Sequence, residues 1–206
     1  MMLSRSVRAW LLSLLLLPLA EAAQAQAIPF TIDVAHSRIG FRARHLAVTW
    51  VEGRFRSFTG TFAFDSVNVE NITAEATIQV ASVFTDNERR DNDLRSSNFF
   101  AADSFPEIRF VSRRVERGAT PGTYRMTGEL TIRGTTRPIT LDVEVTGPRP
   151  ITTRQGRQLL MGVTMTGRLN RHDYGLRWNN VIEGVQVVGD EIRLDIVVEA
   201  RAALTS

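Results

Sequence analysis

From Phe30 onward, apolar and polar side chains alternate with a period of two, a pattern that suits strands and leaves little room for helices. Phe30, Ile32 and Val34 share one face of a first strand. Ile39, Phe41, Ala43 and His45 share the next inward face, with Gly40, Arg42 and Arg44 opposite, as in a strand with one dry and one wet side. The apolar set then runs Val51, Gly53, Phe55 and resumes as Phe58, Gly60, Phe62, Phe64, with its parity switched near Ser57. A single added residue moves every later side chain to the other face, so a β-bulge with strong curvature is expected at Ser57. Five of the 11 phenylalanines fall between His36 and Asp65, and this stretch should line most of any core or cavity.

The alternation continues through Ile72, Ala74, Ala76, Ile78 and Val80, whose small alanines leave space or accommodate larger neighbours across the core. It is interrupted once. Thr85-Asp86-Asn87-Glu88 has the spacing of a capping box and predicts one helix over residues 86–96, with few apolar residues beyond Leu94, placed on the surface or across an opening. Asn98-Phe99-Phe100 and Phe105-Pro106 form an aromatic connector. Further alternating segments follow: Ile108, Phe110 and Ser112; then Tyr124, Met126, Gly128, Leu130 and Ile132; then Ile139, Leu141, Val143 and Val145, ending at Gly147-Pro148. Met161, Val163, Met165, Gly167 and Leu169, and finally Ile192, Leu194, Ile196 and Val198, complete the set. Turn residues at Gly118–Gly122 and Gly134 make successive hairpins. Eight or nine strands without repeated helices exclude a parallel sheet. They predict an all-β fold, an antiparallel barrel of about eight strands with one short surface helix; glycines and a bulge at bending points favour the barrel over a sandwich.

Ahead of this domain, Arg5 and Arg8 precede an apolar run from Trp10 to Ala20 that is short for a membrane span. Small-residue cleavage sites follow at Ala22, Ala25 and Ala27. Residues 1–27 therefore read as a secretory signal and residues 28–206 as one exported domain. Cysteine is absent, which excludes disulfides, thiolate metal sites and a cysteine-linked lipid anchor. The high isoelectric point, about 10.4, arises because every basic residue is Arg; the charges alternate without a basic cluster, and nucleic-acid binding is not indicated.

Few residues invite catalysis. Asp33, His36, His45 and Asp173 would make a zinc site only if the fold gathered them, and their spacing matches no metal motif. Asp33, His36 and Ser37 suggest a hydrolase, yet no nucleophile elbow is present, and these residues equally suit backbone hydrogen bonding at a turn between strands. Asp173-Tyr174-Gly175 lacks the rest of a kinase and reads as a tight connection with Gly175 in a special backbone conformation.

Several motifs in order resemble the YceI-like family of polyisoprenoid-binding periplasmic proteins. They are Asp33-x-x-His36-Ser37-x-Ile39-x-Phe41, His45-Leu46, Gly53-x-Phe55-x-x-Phe58-x-Gly60 and Asp65; then Arg90-Asp91-x-x-Leu94-Arg95-Ser96-x-x-Phe99-Phe100 and Pro106-x-Ile108-x-Phe110. Gly128-x-Leu130-Thr131-Ile132-x-Gly134-x-Thr136-x-Pro138 and Asn170-Arg171-x-Asp173-Tyr174-Gly175 complete the match. The chain departs at Ala47, Trp50 and Tyr174, where relatives carry Gly, a smaller residue and Phe; Trp50 bears on the shape of the nearby cavity.

The resemblance implies a lipocalin-like barrel that holds a long isoprenoid, an isoprenoid quinone or a similar lipid without a catalytic step, in the periplasm. On that reading Phe41, Phe55, Phe62, Phe64, Ile78, Phe110, Met126, Leu130, Leu141, Met165 and Ile196 contact the lipid tail, and His45 offers a polar contact near one end. No metal or cofactor is expected. The alternative is a stress or redox accessory protein acting through a transient inner-membrane partner such as a quinone-using cytochrome. A closed barrel is compatible with a monomer or a homodimer.

Overall fold

The computed structural model describes residues 27–154 and 156–204; the expected export signal lies outside them except for Ala27. In chain order the elements are β1 (Ile28–His45), β2 (Thr49–Phe55), β3 (Phe58–Phe64), β4 (Thr73–Gln79), β5 (Val83–Phe84), α1 (Glu88–Arg95), β6 (Glu107–Arg117), β7 (Thr123–Ile132), β8 (Thr135–Thr153), β9 (Gly156–Asn170), β10 (Val181–Ile182), β11 (Val185–Gln186) and β12 (Val188–Ala203).

The sheet closes on itself. Its order, β12-β9-β8-β7-β6-β4-β3-β1, returns to β12 through antiparallel pairing of β1 with β12, which makes eight barrel positions. Closure removes the unpaired edges that an open sheet of this length would present. β2 and β3 occupy one position in succession: residues 39–45 of β1 pair with β2 and residues 28–31 with β3.

Three expectations about local structure change. The Asp33–Ser37 segment is no turn between strands but an irregularity inside the 18-residue β1, where the register to β12 shifts between Asp33 and Arg38. Inward parity therefore passes from Phe30 and Ile32 to Ile39, and Val34 is left 39% exposed. At Ser57 the chain is interrupted, not bulged: β2 ends at Phe55, β3 begins at Phe58, and the amides of Arg56 and Ser57 donate to Ser82 Oγ at 3.2 and 3.0 Å. Gly147-Pro148 does not end its strand; β8 runs through it with a register shift between Thr146 and Arg149.

The helix is shorter than expected, and its cap is Asn87, whose side chain accepts from the Arg90 amide at 3.0 Å. Thr85 has another task. Its amide and hydroxyl both donate to buried Asp91 Oδ1, at 2.9 and 2.5 Å, while Arg90 Nη2 donates to the Thr85 carbonyl at 2.7 Å. Arg95 donates to the carbonyls of Ala81 and Val83, so α1 is fastened to the segment that runs from β4 into β5. Arg133 and Gly134, both at positive φ (48° and 71°), make the two-residue β7–β8 turn that matches strand twist.

Candidate functional site

The inward faces of the barrel enclose an apolar cavity of about 230 Å³. Strand alternation puts eleven of the twelve expected contact residues on its wall: Phe41, Phe55, Phe62, Phe64, Ile78, Phe110, Met126, Leu130, Leu141, Met165 and Ile196. Rings mark its length. Phe41 and Phe55 lie 5.7 Å apart, and Phe55 meets Phe100 edge-on at 5.8 Å, joining the wall to the connector after α1. Toward the other end, Phe64 meets Tyr124 at 6.1 Å with perpendicular planes, and Phe62 stacks on buried Phe30 at 5.2 Å. Burial of a ring as enclosed as Phe30 contributes about 2–3 kcal/mol.

His45 is the exception. It lies exposed at the end of β1, beyond the register shift between Ala43 and His45, and is not part of the cavity wall. Trp50 also stands apart from the cavity: it pairs with outward Arg44, and its indole is covered by the guanidiniums of Arg44 and Arg193 at 4.1 and 4.5 Å.

The wall also includes residues that alternation alone did not single out: Leu94, Phe99 and Phe100 from α1 and its connector, and Arg171. The Phe99-Phe100 pair was visible as an aromatic connector, but a helix carried across a barrel end has no signature in strand periodicity. Arg171 is 2% exposed and belongs to a 3-10 turn, residues 171–174, that ends at Gly175 with φ +73°. Its donors are taken up by protein: Nη1 by the carbonyls of Leu176 (2.5 Å) and Trp178 (2.8 Å), Nε by Gly189 (3.1 Å), and Nη2 by Val188 (3.3 Å) and Asp190 (3.2 Å). Burial pulls its pKa below the ordinary arginine value, and Asp190 opposes that. Arg171 thus acts as a staple closing one barrel end. Beside it, burial pushes the Tyr174 hydroxyl up to about 12, so this group stays neutral.

Asp33 and His36 do meet, at 3.1 Å, and Glu199 lies 3.8 Å from the same imidazole nitrogen. The place a cation would take between the carboxylates is held by Arg201, 2.6 Å from Asp33 and 3.0 Å from Glu199. The His36 hydrogen bond, then Arg201, keeps the Asp33 carboxyl below its usual range. Ser37 Oγ donates to the Asp33 carbonyl at 2.6 Å and accepts from the Glu199 amide at 3.0 Å, which fastens the β1 irregularity to β12. His45 and Asp173 are not gathered with these residues.

A closed antiparallel barrel with an apolar interior cavity and backbone-engaged polar groups defines a cavity-containing β-barrel as the class of this protein. The YceI-like domain model matches residues 30–200, and the chain belongs to that family. The UPF0312 protein SAS2572 of Staphylococcus aureus is 36% identical over 173 residues, covering 82% of this chain and 95% of that protein. The YCEI protein of Campylobacter jejuni has a similar structure, with a TM-score of 0.65 at 30% identity, covering 78% of this chain and 90% of that one. A polyisoprenoid binding domain from Saccharophagus degradans, implicated in plant cell wall breakdown, superimposes with a TM-score of 0.62 at 15% identity over 85% of this chain and 99% of that one, a likeness of fold alone.

Proposed function

We propose that this protein binds or carries a long-chain isoprenoid or similar lipid in the periplasm, within the barrel interior and without a catalytic step. The observation that carries this reading is the cavity wall itself, drawn from the inward apolar faces of the barrel strands and from the rings of the connector. Family membership supports it, as does the fold likeness to the polyisoprenoid binding domain of Saccharophagus degradans. The signal-like residues 1–27 support export. Of the groups considered for catalysis, Ser37 is engaged by backbone atoms and Asp33 by His36 and Arg201, which favours binding over chemistry.

Burying on the order of 500 Å² of apolar ligand surface would contribute about 12 kcal/mol before entropic costs. Chain length, more than head group, should then govern selection. Organic extraction of purified protein followed by mass spectrometry tests the reading, with recovery of a long-chain lipid expected. Repeated recovery of none, together with no binding of added isoprenoid quinone, overturns it.

A further inference from the structure

The apolar side chains left in solvent are unevenly distributed. Of eight exposed large hydrophobic residues among those described, five lie in two adjoining segments: Val48 (76% exposed) in the β1–β2 turn, and Trp178, Val181, Ile182 and Val185 in and beside the β10–β11 hairpin. The two segments form one edge, because the Leu46 amide donates to the Val187 carbonyl at 3.1 Å and His45 pairs with Val188. Ile182 and Val185 are directly opposite across the hairpin, while Glu183 and Gly184 make its turn. A hairpin of this size gains little from burying its own side chains, so these aliphatic groups do not stabilise the isolated fold.

Next to the turn, the guanidiniums of Arg44 and Arg193 lie over the Trp50 indole. Arg44 Nη1 also donates to the Val48 carbonyl at 3.3 Å, tying that stack to the aliphatic tip; Arg193 also pairs with Glu191 at 3.0 Å. Aliphatic tips backed by a tryptophan and guanidiniums match the layers of a bilayer interface, from acyl boundary to head-group phosphates. The patch is continuous with the cavity: Trp178 packs on Phe99 at 5.2 Å, and Phe99, Leu176 and Val188 belong to the cavity wall.

We propose that the β1–β2 turn and the β10–β11 hairpin form a docking edge that seats this end of the barrel on an anionic lipid bilayer. Val48, Ile182 and Val185 enter the acyl boundary, and Arg44 and Arg193 face lipid phosphates. Glu183 remains at head-group level, so the hairpin lies along the surface and not end-on. This docking is read from exposed surface, and it stands or falls separately from what the cavity holds.

Cosedimentation with vesicles of phosphatidylethanolamine and phosphatidylglycerol, against phosphatidylcholine vesicles, tests it. The protein is expected to bind the anionic vesicles, and Val48→Asp/Ile182→Asp/Val185→Asp to lower partitioning on the order of 10-fold or more. Ile182→Asp alone, at an exposed position, should give a smaller loss with an unchanged melting curve. Arg44→Gln should reduce the preference for phosphatidylglycerol. Isoprenoid quinone delivered from detergent should still bind the triple variant, whereas Phe62→Arg should lose quinone and still sediment with vesicles. Absence of vesicle binding by the unsubstituted protein, or equal binding by the triple variant, overturns the proposal. So does a dimer that the triple variant converts to monomer while vesicles stay unbound, since the edge would then join two copies of this chain.

Discussion

Phe41 lies across Gly53: the two are directly opposite in the β1–β2 ladder, and the phenyl ring fills the space a β-carbon at position 53 would need. Gly128 receives the Phe110 ring in the same way. These glycines let aromatic rings lie along the barrel wall. Gly53→Ala should therefore push the Phe41 ring into the cavity, because the ring end is the movable partner. The expected stability cost is about 1–3 kcal/mol, with a clear weakening of isoprenoid quinone binding. Urea denaturation and fluorescence titration measure the two effects separately.

Phe62 tests the inside assignment directly. It is half-buried on the cavity wall and stacked on Phe30 with an interplanar angle of 8°. Phe62→Arg places a guanidinium in an apolar space, where its desolvation is uncompensated, and quinone binding should fall by about 100-fold or more. Retained affinity would mean that this face of β3 does not contact ligand.

The inward set was legible because period-two alternation depends only on which side chains reach water, and it holds locally around Phe41, Phe110, Met126 and Ile196. It failed where the backbone left the ladder. Val34 and His45 follow strand parity, yet register shifts in β1 turn Val34 outward and leave His45 at the rim. Trp50 was tied to the cavity because relatives carry a smaller residue there; cation–π contact with Arg44, its partner across the β1–β2 ladder, and with Arg193, which is distant in sequence, explains its place on the outer wall. Arg171 was visible only as part of a motif, since nothing local announces that carbonyls from Leu176 to Gly189 converge on it.

Arg171 gives a third prediction. Arg171→Met removes the shared donor from the carbonyls of Leu176, Trp178, Val188 and Gly189, and leaves Asp190 with His172 alone at 3.2 Å. The expected cost is about 3–5 kcal/mol. Arg171→Lys keeps the charge but puts its donors on one nitrogen, which cannot serve Gly189 and Leu176 together, so it should rescue only part of the loss. Guanidinium denaturation of both variants gives the comparison.

The last prediction concerns acid. Asp65 is 2% exposed and accepts the amides of Val67 and Asn68 at 2.8 Å each and the Asn71 side chain at 2.9 Å. The Asn68 backbone hydrogen bond first, then the Asn71 side chain, lowers its pKa from 3.8. A carboxyl lowered on folding stabilises the native state above its unfolded value, and that contribution is lost as pH falls through the folded value. Tm should therefore hold steady on acidification to about pH 5 and decline below about pH 4. Glu107 and Glu191, lowered mainly by Arg109 and Arg193, act in the same direction. Asp65→Asn keeps an acceptor for the two amides but turns an amide nitrogen toward that of Asn71, so the variant should melt lower at neutral pH and lose less on acidification. A set of melting curves across pH separates the Asp65 contribution from the surface carboxylates, because only its share disappears in the variant.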